Sequence, residues 1–183
     1  MIEQQKKLFV ISGPSGVGKG TVVKSLLEHR DDIKLSISYT TRSPRTGEIN
    51  GVNYFFISAD EFLKDAKNGE FLEWAEFSGN YYGTKKSFVL DTLKNYHVLL
   101  EIDTQGALQI KEKLPAAILM FIAPPSYKEL ELRLRGRHTD SETDIRKRLE
   151  LAKLEKNNSL FFDYIIINTT VLDTVNYIED IIG

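Results

Sequence analysis

"GPSGVGKGT", residues 13–21, is the stretch that decides the fold. It follows the pattern Gly-x-x-x-x-Gly-Lys of a loop whose backbone N–H groups bind phosphate, and we call it the phosphate loop. The pattern normally continues with Ser or Thr, whereas here Gly20 follows Lys19 and the hydroxyl comes one place later, at Thr21. Because the anion nest uses backbone groups, Gly20 keeps it. Two roles stay open for Thr21: a substitute contact to Mg²⁺, or a contact to an α-phosphate.

The sequence on both sides of the loop predicts the strand and the helix that such a loop requires. "KLFVIS" (7–12) is a short apolar run typical of a buried strand, and Val22, Val23, Leu26 and Leu27 follow at helical spacing. Three further buried strands are predicted at 97–103, 116–123 and 163–168, with amphipathic helices between and after them. This alternation predicts an α/β fold, a parallel sheet flanked by helices on both faces.

Residues 38–84 have a different pattern, which predicts an inserted α+β lobe. Short strands are expected at 52–58 and 70–77, and 78–83 reads as a tight turn. The helix between the two strands should begin at Ser58, which has Glu61 three places later, and stop at Asn68-Gly69. A second such helix start is Ser126 with Glu129. We therefore expect one domain over 1–183, with a core of 1–37 and 85–183 around the lobe.

Composition limits the classes of function. The net charge of −2 argues against a surface built mainly to bind nucleic acid or an acidic membrane. The sequence has no cysteine, which excludes disulfides and thiolate metal sites. Its N-terminal apolar run is too short for a signal peptide, and no stretch reaches the roughly 18 apolar residues of a membrane span. The expected compartment is the cytoplasm.

A candidate second anion site consists of Arg42, Arg45, Tyr54 and Tyr82, whose tyrosine hydroxyls could donate to the same phosphate. Arg42 and Arg45 lie three apart in a stretch broken by Pro44 and Gly47. Two guanidinium groups can hold a phosphate with paired hydrogen bonds, which lysine does poorly. Taken alone, two solvated arginines on a loop explain this pattern better. Beside a phosphate loop the second anion site is favoured, because a kinase needs one for its acceptor.

Several stretches together resemble the guanylate kinase family in order and spacing. They are "SGPSGVGKGT", "SYTTRSPRTGEINGVNYFF", "GEFLEWAEFSGNYYGT", "LLEIDTQGA", "FIAPPS" and "RLRGRHTDSETDIRKRL". The resemblance runs from Leu8 to about Asn168. It implies a P-loop kinase core with an inserted nucleoside-monophosphate-binding lobe at about 38–84 and a helical lid at about 133–150. It also implies Mg²⁺-dependent phosphorylation of GMP or dGMP by ATP, a place in purine nucleotide metabolism and GMP recycling, and a monomer or homo-oligomer.

The resemblance also implies roles for individual residues. The implied ATP site is the phosphate loop, Gly13, Pro14, Ser15, Gly16, Val17, Gly18, Lys19, Gly20 and Thr21, with Asn168 near the adenine. The implied GMP site is Ser38, Arg42, Arg45, Glu48, Tyr54, Glu73, Tyr82, Thr84 and Asp103. Arg133, Arg137 and Arg148 are the implied lid arginines, so the expected catalytic residues are Lys19, Arg42 and these three. Thr21 and Asp103 are the expected metal contacts, directly or through water. Glu101 departs from the aspartate of some members.

The chemistry of guanine agrees with these assignments. Guanine presents N–H donors at N1 and N2, and an ionised Glu73 can accept from both, while Ser38 and Thr84 can donate to O6. Adenine would turn the lone pair of its N1 toward the carboxylate and leave that charge unpaired, so two charge-assisted hydrogen bonds would be lost. Taken alone, a solvated strand residue beside Trp74 explains Glu73 equally well. Two alternatives remain open. One is a guanylate-kinase-like interaction module, which intact Lys19 disfavours, and the other is a kinase for a different nucleoside monophosphate.

Overall fold

The structure, a computed structural model, describes residues 5–136 and 141–183. The chain divides into two compact units. The first comprises Met1–Phe9, Asp32–Leu100 and Gln105–Ala117, and the second comprises Val10–Asp31, Glu101–Thr104 and Ile118–Gly183. The predicted division into a core and a lobe at about 38–84 stays a prediction. No helix within the described ranges combines the length and the apolar character needed to cross a bilayer.

The described chain contains nine strands and seven α-helices. The strands are β1 (Leu8–Ser12), β2 (Ile33–Leu35), β3 (Tyr39–Thr40), β4 (Phe55–Phe56), β5 (Phe71–Phe77), β6 (Asn80–Lys85), β7 (His97–Glu101), β8 (Ile118–Ala123) and β9 (Tyr164–Ile167). The helices are α1 (Lys19–His29), α2 (Ala59–Lys67), α3 (Lys86–Thr92), α4 (Thr104–Lys113), α5 (Tyr127–Arg135), α6 (Glu142–Asn158) and α7 (Val171–Ile182), with a 3₁₀ turn at Ser159–Phe161.

A five-stranded sheet has the order β2-β7-β1-β8-β9. β2 pairs in parallel with β7, starting with Ile33 opposite His97, and β8 pairs in parallel with β9, starting with Met120 opposite Tyr164. All five residues of β1 are buried, as expected for a strand covered on both faces. The predicted α/β fold with a parallel sheet flanked by helices is confirmed, and each of its four predicted strands is present.

A four-stranded sheet in the first unit has the order β4-β3-β6-β5. β5 and β6 form an antiparallel hairpin whose turn, Ser78-Gly79, has positive φ at both residues, as a tight two-residue turn requires. The strand predicted at 52–58 is wrong in extent, because only Phe55–Phe56 pairs as a strand. Val52 donates its backbone N–H to Ile49 instead, so a turn occupies the first half of that stretch.

The predicted helix starts are confirmed in both units. Ser58 caps α2 by accepting a hydrogen bond from the backbone N–H of Glu61, and Ser126 caps α5 in the same way with Glu129. α2 ends at Lys67, and Gly69 just beyond it has a φ of +72°, the left-handed conformation that a helix end favours. Local side-chain chemistry thus sets these boundaries.

Phe62 of α2 holds the helix against the four-stranded sheet. It is fully buried and stacks on Phe71 of β5 and Tyr81 of β6, with ring centroids 4.4 and 5.5 Å away. We predict that Phe62→Ala lowers the free energy of unfolding by about 3–5 kcal/mol, because it leaves a cavity among aromatic rings. The matched change Phe77→Ala, at a half-exposed ring of β5, should cost about 1 kcal/mol or less. Urea denaturation measures both, and equal losses would contradict this packing.

Candidate active site

The phosphate loop lies in the second unit, between β1 and α1. Gly13 has a φ of +144°, and a Cβ there would lie 2.2 Å from the carbonyl oxygen of Ile122 in β8. Only glycine fits so close to the neighbouring strand. Gly18 caps α1 with a φ of +102°, so the backbone turns directly into the helix. The loop therefore presents its N–H groups at the positive end of a helix, the geometry of an anion site.

The ammonium group of Lys19 is folded over its own loop. Its Nζ donates hydrogen bonds to the carbonyl oxygens of Gly13 and Pro14, the second at 3.3 Å. These contacts hold the charge of the lysine at the loop. Its positive charge also acts on two carboxyl groups of the same unit, Glu101 and Glu155.

Glu155 of α6 is a residue that the sequence analysis missed. Glu155 is 8% exposed, and its Oε2 has no hydrogen-bond partner among the residues described. Burial raises the pKa of Glu155 to about 7, with the charge of Lys19 opposing that rise and the charge of Asp103 adding to it. Glu155 lies three residues after Ala152, on the buried side of α6, so its spacing was the available signal. A glutamate is ordinarily read as exposed, which masked that signal. The structure places it as a buried acid beside the phosphate loop.

Glu101, the residue that departs from the aspartate of some relatives, lies at the end of β7 next to the start of α1. Burial raises the pKa of Glu101, while the charge of Lys19 opposes the rise. A Cβ on Gly20 would lie 3.8 and 3.9 Å from its two carboxylate oxygens, which is ordinary contact distance. The longer acid thus occupies space beside the residue where the common motif has a hydroxyl.

Arg133 of α5 is held by three hydrogen bonds within the second unit. Its guanidinium donates to the carbonyl oxygens of Val17 and Asn168, both at 3.1 Å, and to Glu129 at 3.0 Å. The side chain of Asn168 also donates to Val17, at 2.8 Å, and accepts from the hydroxyl of Thr174. Two predicted site residues, Arg133 and Asn168, therefore meet at the phosphate loop and fix its backbone.

A pocket of about 410 Å³ opens beside this junction, within the second unit. It is lined by Gly16, Val17, Gly18, Thr21, Arg133, Gly136, Asn168, Thr169 and Val171. Arg148 of α6 reaches the loop separately and donates a hydrogen bond to the hydroxyl of Ser15. Arg137, the third predicted lid arginine, lies outside the described residues.

In the first unit, Arg42 and Glu48 form an ion pair that organises the predicted anion site. Nη2 of Arg42 lies 2.8 Å from Oε1 of Glu48, whose other oxygen accepts from the backbone N–H of Arg45 at 2.7 Å. The hydrogen bond from Arg42 lowers the pKa of Glu48, and that from Arg45 lowers it further. Glu48 thus positions the arginines, and the exposed side chain of Arg45 is available to an anion.

Two tyrosines extend this cluster. The guanidinium of Arg42 lies 5.4 Å from the ring centroid of Tyr54, and the rings of Tyr54 and Tyr82 meet edge to face at 6.0 Å. Tyr82 and Thr84 are two apart in β6, so their side chains share one face of the sheet. Of the predicted phosphate contacts, Tyr82 therefore lies on the same face of the sheet as the predicted base contacts Thr84 and Glu73.

Glu73 is the buried acid of the first unit. It is 4% exposed, lies opposite Thr84 in the β5–β6 ladder, and accepts a 2.6 Å hydrogen bond from the hydroxyl of Thr84. A carboxylate loses much of its solvation when buried, and the hydroxyl replaces part of it. Ser38 is half-buried just before β3 and accepts a backbone bond from Phe55.

Asp103 belongs to the second unit, where its charge acts on Glu155. Its predicted contact with GMP stays a prediction. No three acidic or histidine side chains are close enough to form a metal site in the residues described. Mg²⁺ typically uses one or two carboxylates and completes its shell with water and substrate phosphates. Asp103 and Thr21 supply hard oxygen ligands of that kind, so the residues present fit Mg²⁺.

Comparison with known proteins gives one consistent result. The family model described as "Guanylate kinase" matches residues 5–183. The guanylate kinase of Clostridioides difficile (strain 630) is 49% identical over 184 residues, covering 100% of this chain and 90% of the relative. That of Prochlorococcus marinus subsp. pastoris is 51% identical and covers 97% of each chain. The crystal structure of guanylate kinase from Anaplasma phagocytophilum aligns with a TM-score of 0.83 at 36% identity, covering 99% of this chain and 86% of the other. With its phosphate loop, its buried Glu73 and these relatives, the chain belongs to the guanylate kinase family.

Proposed function

We propose that this protein catalyses the phosphorylation of GMP to GDP by ATP. The observation that carries the proposal is Glu73, a buried carboxylate held by Thr84 on the same sheet face as a tyrosine of the Arg42 cluster. A buried acid selects a base that offers N–H donors, and the arginines next to it suit a phosphate. A guanine nucleotide has both groups.

The guanine base is bound through Glu73. Its carboxylate accepts from N1–H and N2–H, and the hydroxyls of Ser38 and Thr84 donate to O6. In the structure the hydroxyl of Thr84 donates to Glu73, which keeps the carboxylate oriented. Because a hydroxyl rotates about its own bond, Thr84 can turn to O6 once the base satisfies the acid.

The phosphate of GMP is bound by Arg42, Arg45, Tyr54 and Tyr82. Glu48 holds Arg42 and the backbone of Arg45 in place through two short hydrogen bonds. An oriented guanidinium loses less entropy when a phosphate arrives. These residues contact the base and the phosphate, so the 2′-hydroxyl is not recognised and dGMP is accepted too.

ATP is bound by the second unit. The backbone N–H groups of the phosphate loop hold the phosphates, and Lys19 turns from Gly13 and Pro14 to the β- and γ-phosphates. The adenine lies in the pocket lined by Arg133 and Asn168. This arrangement uses the loop for the charge of the donor and the pocket for its base.

Phosphoryl transfer is accelerated mainly by placement and by cancelling charge on the transferring group. Lys19 acts on the donor phosphates, Arg42 on the acceptor phosphate, and Arg148 reaches the transferring group from its present contact with Ser15. Mg²⁺, held through Asp103 and Thr21, would neutralise further charge on the phosphates when bound. Arg137 is proposed as another arginine at this site. The product GDP is a substrate for reactions that make nucleoside triphosphates, which is consistent with a role in GMP recycling.

We predict that Glu73→Gln raises the KM for GMP about 100-fold and changes the KM for ATP by less than twofold. The amide keeps the size of the side chain but loses its charge, and its NH₂ group opposes a guanine N–H. Two charge-assisted hydrogen bonds are worth roughly 1.5–3 kcal/mol each, enough for a change of this order. Steady-state kinetics with each nucleotide varied in turn measures the two constants.

The matched control is Glu76→Gln, an exposed glutamate of the same strand, which should leave both constants within about twofold. Equal increases in the constants for GMP and ATP after Glu73→Gln would refute the assignment of Glu73 to the base. A folded variant with unchanged GMP binding would refute it as well.

The raised pKa of Glu155, in the second unit, predicts how the free energy of unfolding depends on pH. The folded-state pKa of Glu155 is about 7, above its ordinary value of 4.5, so its carboxyl stabilises the fold below pH 4.5, and that stability is lost as the pH rises through 7. Glu155→Gln removes this loss. The fall in the free energy of unfolding between pH 5 and pH 8.5 should therefore be about 1–3 kcal/mol smaller in the variant than in the unaltered protein.

Urea denaturation at the two pH values measures this difference. Glu150→Gln, at an exposed position of the same helix, is the control and should follow the unaltered protein. A Glu155→Gln variant with the same pH dependence as the unaltered protein would show that the carboxyl of Glu155 titrates at its ordinary pKa.

A further inference from the structure

β5, the strand that carries Glu73, lies at the edge of its sheet. In the order β4-β3-β6-β5 it has β6 on one side, and none of the described strands lies on the other. An edge strand has outward N–H and C=O groups without ladder partners, and such an edge is free to shift unless another element covers it. What holds the outer edge of β5 therefore decides how firmly Glu73 is placed.

Gln109 of α4 pairs with that edge as a strand would. Its Oε1 accepts from the backbone N–H of Trp74 at 3.3 Å, and its Nε2 donates to the carbonyl oxygen of Trp74 at 3.0 Å. The side-chain amide thus satisfies both outward groups of one residue. Trp74 is the residue directly after Glu73.

Lys113, one turn further along α4, holds the residue on the other side of Glu73. Its ammonium group donates to the carbonyl oxygen of Leu72. The two α4 side chains therefore bind the backbone immediately before and immediately after the buried acid. Both side chains contact main-chain atoms of β5, so their influence on Glu73 passes through the backbone of the strand.

The backbone at this point is irregular, which makes the support necessary. The β5–β6 register shifts between Phe71 and Glu73, the mark of a β-bulge. Phe71, Leu72 and Glu73 are all buried, although side chains of a regular strand alternate between faces. A bulge re-aims a side chain at the cost of ladder hydrogen bonds. The bulge therefore sets the direction in which the side chain of Glu73 points. The hydrogen bonds from Gln109 and Lys113, which we call the α4 bracket, hold the backbone on both sides of Glu73.

We propose that Gln109 and Lys113 are positioning residues for guanine recognition, because they fix the bulge in β5 that aims Glu73 at the base. The proposal rests on the proposed function, in which Glu73 accepts from N1–H and N2–H of guanine. Without the α4 bracket, the carboxylate of Glu73 samples a wider range of positions, and its two hydrogen bonds to guanine weaken together. ATP binding does not use this strand.

The test compares GMP with IMP, which lacks the 2-amino group. Gln109→Met keeps the length of the side chain and removes both hydrogen bonds. We expect it to raise the KM for GMP about three- to tenfold, with the KM for ATP within twofold. The preference for GMP over IMP in kcat/KM should fall about threefold or more, because GMP loses two contacts to Glu73 and IMP loses one. A purely structural role would lower the activity with both nucleotides alike.

Three companion variants separate the outcomes. Glu112→Gln, exposed on the same helix, should behave as the unaltered protein. Lys113→Met removes the hydrogen bond to Leu72, the other part of the α4 bracket. If Gln109→Met does not fold, Lys113→Met tests the positioning role in its place. Glu73→Gln must itself lower the preference for GMP over IMP, and if it does not, the proposed function of Glu73 is wrong. If it does so while the folded Gln109 or Lys113 variant keeps the full preference, only the positioning role is overturned.

Discussion

Burying a carboxylate costs several kcal/mol unless hydrogen bonds or a nearby positive charge replace the lost water. Both units of this protein contain buried carboxyl groups. In the first, Glu73 is compensated by the hydroxyl of Thr84. In the second, Glu101 and Glu155 lie within the field of Lys19, and burial still raises the pKa of both. Each unit thus holds a buried acid beside a side chain that offsets part of the cost of its burial.

This constraint explains why the sites are rigid in some places and adjustable in others. Gly13 cannot change without striking the backbone of β8, and Arg133 and Asn168 pin the carbonyl of Val17. The backbone of the phosphate loop is therefore fixed in advance, as strong electrostatic stabilisation requires. Lys19 and Thr84, the side chains that we propose respond to a ligand, make hydrogen bonds that bond rotation can exchange.

The sequence predicted the parts of the molecule that depend on local chemistry. The phosphate loop, the buried strands around it and the helix starts at Ser58 and Ser126 follow from backbone geometry and side-chain capping, which act over a few residues. The strand predicted at 52–58 was too long, because the turn that ends at Tyr54 takes its first half. Apolar residues near a turn read the same as those in a strand.

Features that depend on distant parts of the chain could not be read in this way. Glu155 is buried although a charged side chain is ordinarily exposed, and Gln109 hydrogen-bonds to Trp74 across 35 positions of sequence. Arg133 also hydrogen-bonds to the backbone of the phosphate loop, and its predicted role as a lid arginine stays a prediction. Nothing local marks these contacts. The family resemblance supplied the residue roles, and the structure supplied what holds those residues in place.

The central claim is that a buried acid selects guanine for a phosphoryl group delivered by ATP. The most direct measurement is the rate of diphosphate formation from ATP and Mg²⁺ with GMP, AMP, UMP and dTMP as separate acceptors. The account predicts that kcat/KM for GMP exceeds that for AMP by about 10⁴-fold or more, with UMP and dTMP also far below GMP. A folded protein that phosphorylates another of these acceptors as well as GMP, or leaves GMP unchanged, would contradict it.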